Sequence, residues 1–351
     1  MEKSDVSLLD RSELEALAVE LGEKPFRGKQ IFEWIYNKNA GSFEEMSNIS
    51  KKMRRELNER CFFPEITIVE KLLSADNTTK YLFSLGKNYI IEGVLLHYDH
   101  GNAVCISTQA GCRMGCAFCA SALPRDCRNL SAYEMLSQVV KIQKDCGERV
   151  SNVVLMGSGE PFDNYENVIG FIRRINSEEG LNIGQRHLTV STCGIVPRIY
   201  DFAKEGLQVN LAVSLHAPND NIRREIMPVA KKYSIDEILS ACENYAKCTK
   251  RRVTFEYAMF HGLNDSDENA AELGKLLKEG LYHVNLIPAN GSEKFKGSAR
   301  KRVERFAEIL TGRGVETTIR RKLGSDINAA CGQLVSKYNT NHAYADKLRF
   351  P

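Results

Sequence analysis

The chain has 351 residues, enough for one large α/β domain and a smaller one around a sizeable core. Its apolar (43%) and charged (26%) fractions are ordinary for a globular protein, and no apolar run reaches the eighteen residues a membrane span needs. The net charge of +3 is too small to demand a nucleic-acid partner, and an odd count of eleven cysteines behind an N-terminus without an apolar signal segment excludes a disulfide framework as the default; metal or thiol chemistry in the cytoplasm is expected instead.

The first sixty residues read as helices. SELEALAVELG has helical apolar spacing, a serine N-cap and a closing glycine; FRGKQIFEWIYNK and ISKKMRRELNERC are two further amphipathic segments, and SFEEM at 42–46 pairs a serine cap with an acid three residues on. A helical domain over residues 1–62 follows, with Lys51, Lys52, Arg54 and Arg55 on one segment. From 63 to 100 the pattern changes to short strands, ITIVEKLLS, TKYLFSL and YIIEGVLLHY, separated by turns such as SADNTT and DHGN.

Residues 101–351 alternate strand and helix. AVCIST opens the series. SNVVLM, HLTVST, QVNLAVSLH, RVTFEYAMF and YHVNLIP are each followed by a helical stretch, and VETTIRR closes it. Strands separated by helices of this length require right-handed crossovers and a parallel sheet. Six βα units before a last short strand suit an incomplete (β/α)6 barrel, with ligands at the C-terminal ends of the strands. Basic pairs and triplets recur along the chain, among them KRR at 250–252 and RRK at 320–322; such clusters fit a phosphate backbone as readily as a solvated helix face.

GCRMGCAFCA at 111–120 places Cys112, Cys116 and Cys119 on one loop just after a strand. A structural zinc site wants four ligands, and no second Cys-x2-Cys pair supplies them. Three thiolates on a [4Fe–4S] cluster leave one iron open for a ligand. GSGEP ends the next strand, and its small residues allow close backbone approach, with Gly159 and Glu160 as candidate cofactor contacts. Ser191, Ser214, Leu215, His216 and Asn290 also fall at strand C-termini, although Ser191 alone reads as a cap and His216 alone as a loop histidine. Near the end, DINAACGQL sets Cys331 between two alanines and a glycine, which clears space around a sulfur where a packing position would more often carry a branched side chain.

Taken together, FRGKQIFEWIY, GCRMGCAFCAS, GEP at 159–161, STCG at 191–194, SLHAPND at 214–220, NLIP at 285–288 and GSDINAACGQL at 324–334 resemble the RlmN/Cfr family of radical S-adenosylmethionine (SAM) RNA methyltransferases over essentially the whole chain, and the helical start resembles the RlmN branch. The resemblance implies methylation of C2 of an adenine in 23S rRNA, and in some members of tRNA; the Cfr-like alternative is C8 of the same rRNA adenine, and a paralogue with another RNA target is the third. Neither carbon is a nucleophile. The family therefore uses a methylated cysteine, here Cys331, with a cluster on Cys112, Cys116 and Cys119 and two SAM molecules per turnover. Cys105 matches the resolving thiol, which frees the methylated base from a covalent RNA adduct through a Cys105–Cys331 disulfide. Glu92 matches a motif acid suited to act as general base. Without the resemblance, Cys105 reads as a core position and Glu92 as an outward residue of an edge strand. A flavodoxin- or ferredoxin-type electron donor and a monomeric, cytoplasmic enzyme are the remaining expectations. An RNA grip is expected from the 51–55 cluster and from Arg125 and Arg128. Three stretches depart from the family pattern: SALPRDCRNL lacks a glycine and adds Cys127, GSGEPFDN carries polar and aromatic residues where apolar ones are commoner, and NLIPANG lacks an Asn-Pro step.

Overall fold

In the computed structural model, residues 3–36, 38–86, 89–122, 127–178, 180–289, 295–324 and 326–327 are described. Asn290, Arg125 and Cys331 lie outside them.

Three helices, α1 (Arg11–Glu20), α2 (Phe26–Tyr36) and α3 (Lys51–Arg60), form the start of the chain. The serine cap expected for α1 is not the one used: the Asp10 side chain accepts from the Glu13 amide and Glu13 reaches back to the Asp10 amide, so Ser12 sits inside the helix. This register turns Leu14 and Ala18 inward. Ser42 makes no cap hydrogen bond either; Phe43–Glu45 is a single 3-10 turn that anchors the buried Phe43. Gly28 lets α2 press on α1, since a Cβ there would lie 2.3 Å from the Glu15 nitrogen. The helical unit docks on the barrel through the Tyr133 hydroxyl, which donates to the Ala40 carbonyl (3.0 Å), and the Arg174 guanidinium over the Tyr36 ring.

Ten strands form one sheet: β1 (Thr67–Leu73), β2 (Thr79–Ser84), β3 (Ile90–Leu96), β4 (Asn102–Cys105), β5 (Val150–Leu155), β6 (Leu188–Thr192), β7 (Asn210–Ser214), β8 (Val253–Met259), β9 (Tyr282–Pro288) and β10 (Thr317–Ile319). Each strand lies beside its sequence neighbour, from β1 at one edge to β10 at the other. The first four are antiparallel to one another. From β4 to β10 every pairing is parallel. Helices α4 (Ala132–Cys146), α5 (Tyr165–Asn176), α6 (Val196–Lys204), α7 (Asp220–Ile226), α8 (Ile235–Thr249), α9 (Asp267–Leu277) and α10 (Arg300–Gly312) fill the crossovers. The incomplete barrel expected from the alternation is the fold observed, with the antiparallel strands extending one edge.

Side-chain alternation along each strand explains why the barrel has an open lumen. Outward positions such as Val153, Val190, Leu211, Val213, Phe255, Val284 and Leu286 are fully buried under the helices. Inward positions are small or polar: Cys105 on β4, Ser191 on β6, Ala212 and Ser214 on β7, Glu256 on β8. Large side chains do not fill the interior, which is left as connected cavities.

Candidate active site

The loop after β4 carries the three cysteines at the mouth of a cavity of about 410 Å³, which Cys112, Cys116 and Cys119 all line. Gly111 and Gly115 take positive φ (77° and 68°) and let the loop turn back on itself. The Ala117 amide donates to the Ile226 carbonyl (2.9 Å), and Met114, Cys116 and Phe118 pack on Ile226 and Met227 at the end of α7. Burial pushes the Cys112 and Cys116 thiols up to about 12 and raises that of Cys119. Such thiols become thiolates only when a cation replaces their protons. Among the described residues, no three His, Cys, Asp or Glu side chains converge as ligands of a single ion. Three cysteine thiols on one loop lining the cavity are a donor set that could hold an iron–sulfur cluster.

GSGEP, following β5, lies directly on the strand that leads into this loop. The Thr108 and Gln109 amides both donate to the Ser158 carbonyl, and Gly157 donates to Ile106. Gly159 has φ +110°, and a Cβ there would lie 2.7 Å from the Gln109 nitrogen. Its small residues are thus used for backbone contact within the protein. Glu160 is buried, and its carboxylate accepts from the amides of Phe162 (3.0 Å) and Cys193 (2.7 Å), tying GSGEP to the STCG turn. Burial raises its carboxyl despite those donors. Phe162 packs between Tyr165 and Phe202, and Asp163 receives a bidentate ion pair from Arg113 of the cysteine loop (both contacts 2.6 Å) together with the Gln109 amide nitrogen (2.8 Å). Phe and Asp at 162–163, unusual when read alone, are therefore matched by partners within this chain. The Cys127 thiol rests against the Gly111 carbonyl (3.7 Å).

Ser191, Ser214, Gly159 and Glu160 line the cavity, as expected of strand ends. Leu215 does not: its side chain is in the core, and its carbonyl accepts from Arg223 (3.2 Å). His216 is buried with φ +56°, its ring edge-on to Phe118 and its Nδ1 accepting from the Ala258 amide (3.0 Å). Burial and the nearby Arg223 hold it down to about 3, so the ring is neutral and its proton sits on Nε2. Arg223 is fully buried, bonds the Cys193 carbonyl (2.6 Å), and finds no hydrogen-bond partner for its Nη1 among the described residues.

Cys105 and Glu92 share the wall that adjoins GSGEP, since β4 pairs with β5. Cys105 pairs with Val94 on β3, two residues from Glu92, so both side chains point inward. Burial raises the Cys105 thiol; Arg320, the Met156 amide and Lys80 pull it the other way. Ser107 fixes this wall. Its hydroxyl donates to the Glu92 carbonyl (2.7 Å) and accepts from the Ser158 amide (2.9 Å), while Gln138 of α4 brackets its backbone. Sequence reasoning did not single out Lys80, whose ammonium is 2.9 Å from Glu92, or Glu256, a buried acid on β8 that accepts from Asn285 (2.9 Å). The signal for both was a charged residue inside an otherwise apolar strand.

Below, a second cavity of about 770 Å³ opens at the N-terminal ends of the strands and shares Leu96, Tyr98, Met156, Glu256 and Arg320 with the first. Lys250, Arg251, Arg252 and Arg186 rim it, and Arg320 joins them there; Arg252 pairs with Glu316 (2.6 Å) and Arg251 donates to Asn210. Arg128 is paired with Glu134 (2.8 Å) and stacks on the Tyr89 ring, and Arg54 donates to the Glu44 carbonyl (2.7 Å). After β10 the chain crosses the lumen, and Leu323 packs with Val94, Leu96 and Ala103. The Gly324 amide donates to Asp76 (2.7 Å), and Asp326 accepts from Ser74 and from the Ala75 amide (3.0 Å). These bonds hold the chain five residues before Cys331.

Residues 5–63 match the family model of the ribosomal RNA large subunit methyltransferase N-terminal domain, and residues 106–274 match that of the radical SAM superfamily. A protein of Alkaliphilus oremlandii (strain OhILAs) named "Probable dual-specificity RNA methyltransferase RlmN" is 52% identical over 344 residues, 97% of this chain and 100% of that one. One of the same name from Clostridium perfringens (strain 13 / Type A) is 54% identical over 329 residues, covering 93% and 95%. The crystal structure of a radical SAM methyltransferase from Sphaerobacter thermophilus is 42% identical and superposes with a TM-score of 0.87, covering 94% of this chain and 98% of that one.

Proposed function

The chain belongs to the RlmN family of radical SAM RNA methyltransferases, and on that premise we propose that it methylates C2 of an adenine in 23S rRNA, with tRNA as a second substrate. Cys112, Cys116 and Cys119 would hold the [4Fe–4S] cluster, and the walls at Gly159, Glu160, Ser191, Ser214 and His216 would receive SAM, one molecule for each of two uses per turnover. When bound, cluster and SAM supply a one-electron route to a carbon radical, which is what an unactivated ring carbon requires.

The remaining steps belong to this chain's own residues. Cys331 accepts a methyl group on its sulfur and carries it to the base. Once that carbon is bonded to C2, the adduct has to give up one electron, which the bound cluster would be placed to take, and Glu92 takes the ring proton; the adduct is then a closed-shell thioether. The Cys105 thiolate then attacks the Cys331 sulfur; the S–S bond forms, the carbon–sulfur bond breaks, and the carbon keeps the electron pair and gains a proton. The two thiols end as a disulfide and the RNA keeps a methyl group. Restoring the thiols takes two electrons from an external reductant, and the cluster draws on a small low-potential electron carrier. The enzyme acts as a monomer.

The observation that carries this reading is one cavity lined both by Cys105 and Glu92 and by the three-cysteine loop. A radical enzyme acting on a small metabolite has no use for that thiol. The basic lower mouth supports an RNA substrate, since phosphates beside an unstacked base need cations at the rim of the cavity that receives it. Nucleoside mass spectrometry tests the proposal: reconstituted enzyme, methyl-deuterated SAM and RNA from cells lacking this protein should yield labelled 2-methyladenosine. Labelled 8-methyladenosine would move the target carbon, and no labelled adenosine would refute RNA methylation.

A further inference from the structure

Lys80 and Glu92 form an ion pair inside the barrel wall, 2.9 Å apart, with side-chain exposures of 0% and 4%. Strand register puts them there: Lys80 pairs with Val94 and Leu82 with Glu92, so all four side chains share the inner face. A lysine in the middle of a strand that is buried on both faces is a costly residue to keep, and packing alone would favour Leu or Met at this position. Its charge is placed against a carboxylate on the wall that carries Cys105.

We infer that Lys80 is a positioning residue for the reaction: its ammonium is the counter-charge that fixes the Glu92 carboxylate beside Cys105, oriented to accept the ring proton of the RNA adduct. The inference rests on the reading of Glu92 as a base. Removing the counter-charge of a buried carboxylate favours its protonated form, which cannot act as a base. The other charged or titratable groups facing this part of the cavity are Cys105 on β4, Tyr98 after β3, Cys112 on the loop, Glu256 on β8, and Arg320, Arg321 and Lys322 after β10. Arg320 is solvent-exposed, whereas Lys80 is buried against the carboxylate.

Two measurements test this. In cofactor-free protein labelled at the glutamate carboxyl carbons, the Glu92 resonance is assigned by its loss in Glu92→Gln and titrated by NMR. Lys80→Met and Lys80→Gln should each raise the midpoint by at least one pH unit, a tenfold change in proton concentration, and Lys80→Arg should leave it near wild type. Release of a preformed RNA–enzyme adduct is then followed against pH. The neutral variants should release at least tenfold more slowly at pH 7 and recover as pH rises, with Lys80→Arg restoring the wild-type profile. An unmoved midpoint, or a loss that is uniform across pH, would overturn the inference and leave Lys80 a structural residue. Release by Glu92→Gln at the wild-type rate would instead overturn the parent reading of Glu92, and this inference with it. A slow Glu92→Gln beside a wild-type profile in Lys80→Met would sink this inference alone.

Discussion

Acid should unfold this protein partly through one residue, His216. Its Nδ1 accepts the Ala258 amide, its ring is buried against Phe118, and Arg223 lies nearby, so protonation would remove an acceptor and create a second buried cation. The folded-state value is depressed to about 3, against about 6.5 in the unfolded chain. The unfolded state therefore binds the extra proton first as pH falls, and stability is lost from about pH 6.5 downward until the folded value is reached. At pH 5 the loss relative to neutral pH is about 2 kcal/mol, one and a half pH units at about 1.36 kcal/mol each. The control is His216→Asn. Asn tolerates the φ of +56°, offers an oxygen where Nδ1 was, and cannot titrate. Urea unfolding of the reduced, cofactor-free protein at pH 7 and pH 5 should show a pH-linked loss about 2 kcal/mol smaller in His216→Asn than in wild type. An equal pH dependence in the two proteins would refute the assignment of a neutral, acceptor His216.

Gly159→Ala should cost at least about 2 kcal/mol in the same assay, because the Cβ meets the Gln109 backbone at 2.7 Å and the φ of +110° suits only glycine; a loss below 1 kcal/mol on that scale would show that the turn shifts easily. Replacing Arg251 and Arg252 at the lower mouth by alanine should weaken RNA binding and flatten the slope of log affinity against log salt by about 0.7 to 0.9 for each phosphate contact removed. The same slope in wild type and variant would place the RNA elsewhere. Asp76→Asn removes the carboxylate that holds the Gly324 amide, which keeps Asp76 down at about 2. Hydrogen exchange at Gly324 should rise at pH 7, and unchanged exchange would show that Leu323 packing alone holds the segment.

The barrel was legible because each strand alternates between apolar outward positions and small or polar inward ones, and because helices of ten or more residues separate them. The helix α4 announces itself by Ser131-x-x-Glu134, and the structure forms that capping box. Local patterns failed where two of them overlapped, as at Asp10 and Ser12, or where the segment was too short to continue, as at Ser42. The cysteine loop could be read from spacing alone. Lys80 and Glu92 could not, since a charged residue in a strand is usually outward, and only the strand register turns both into the lumen. The role of Asp163 was likewise hidden, because its partner Arg113 lies fifty residues away on another loop. The meeting of the 250–252 cluster with Arg320 depends on the parallel order of β7 to β10, which no single segment contains.

The central claim is that Cys331 carries the methyl carbon and Cys105 releases it. Cys105→Ala enzyme, reconstituted with cluster and SAM and given substrate RNA, tests this most directly. The account predicts a covalent RNA–protein adduct that persists under denaturation, with digestion and mass spectrometry placing a one-carbon bridge on Cys331. Free methylated RNA released by Cys105→Ala at the wild-type rate, or an adduct on another residue, would contradict it.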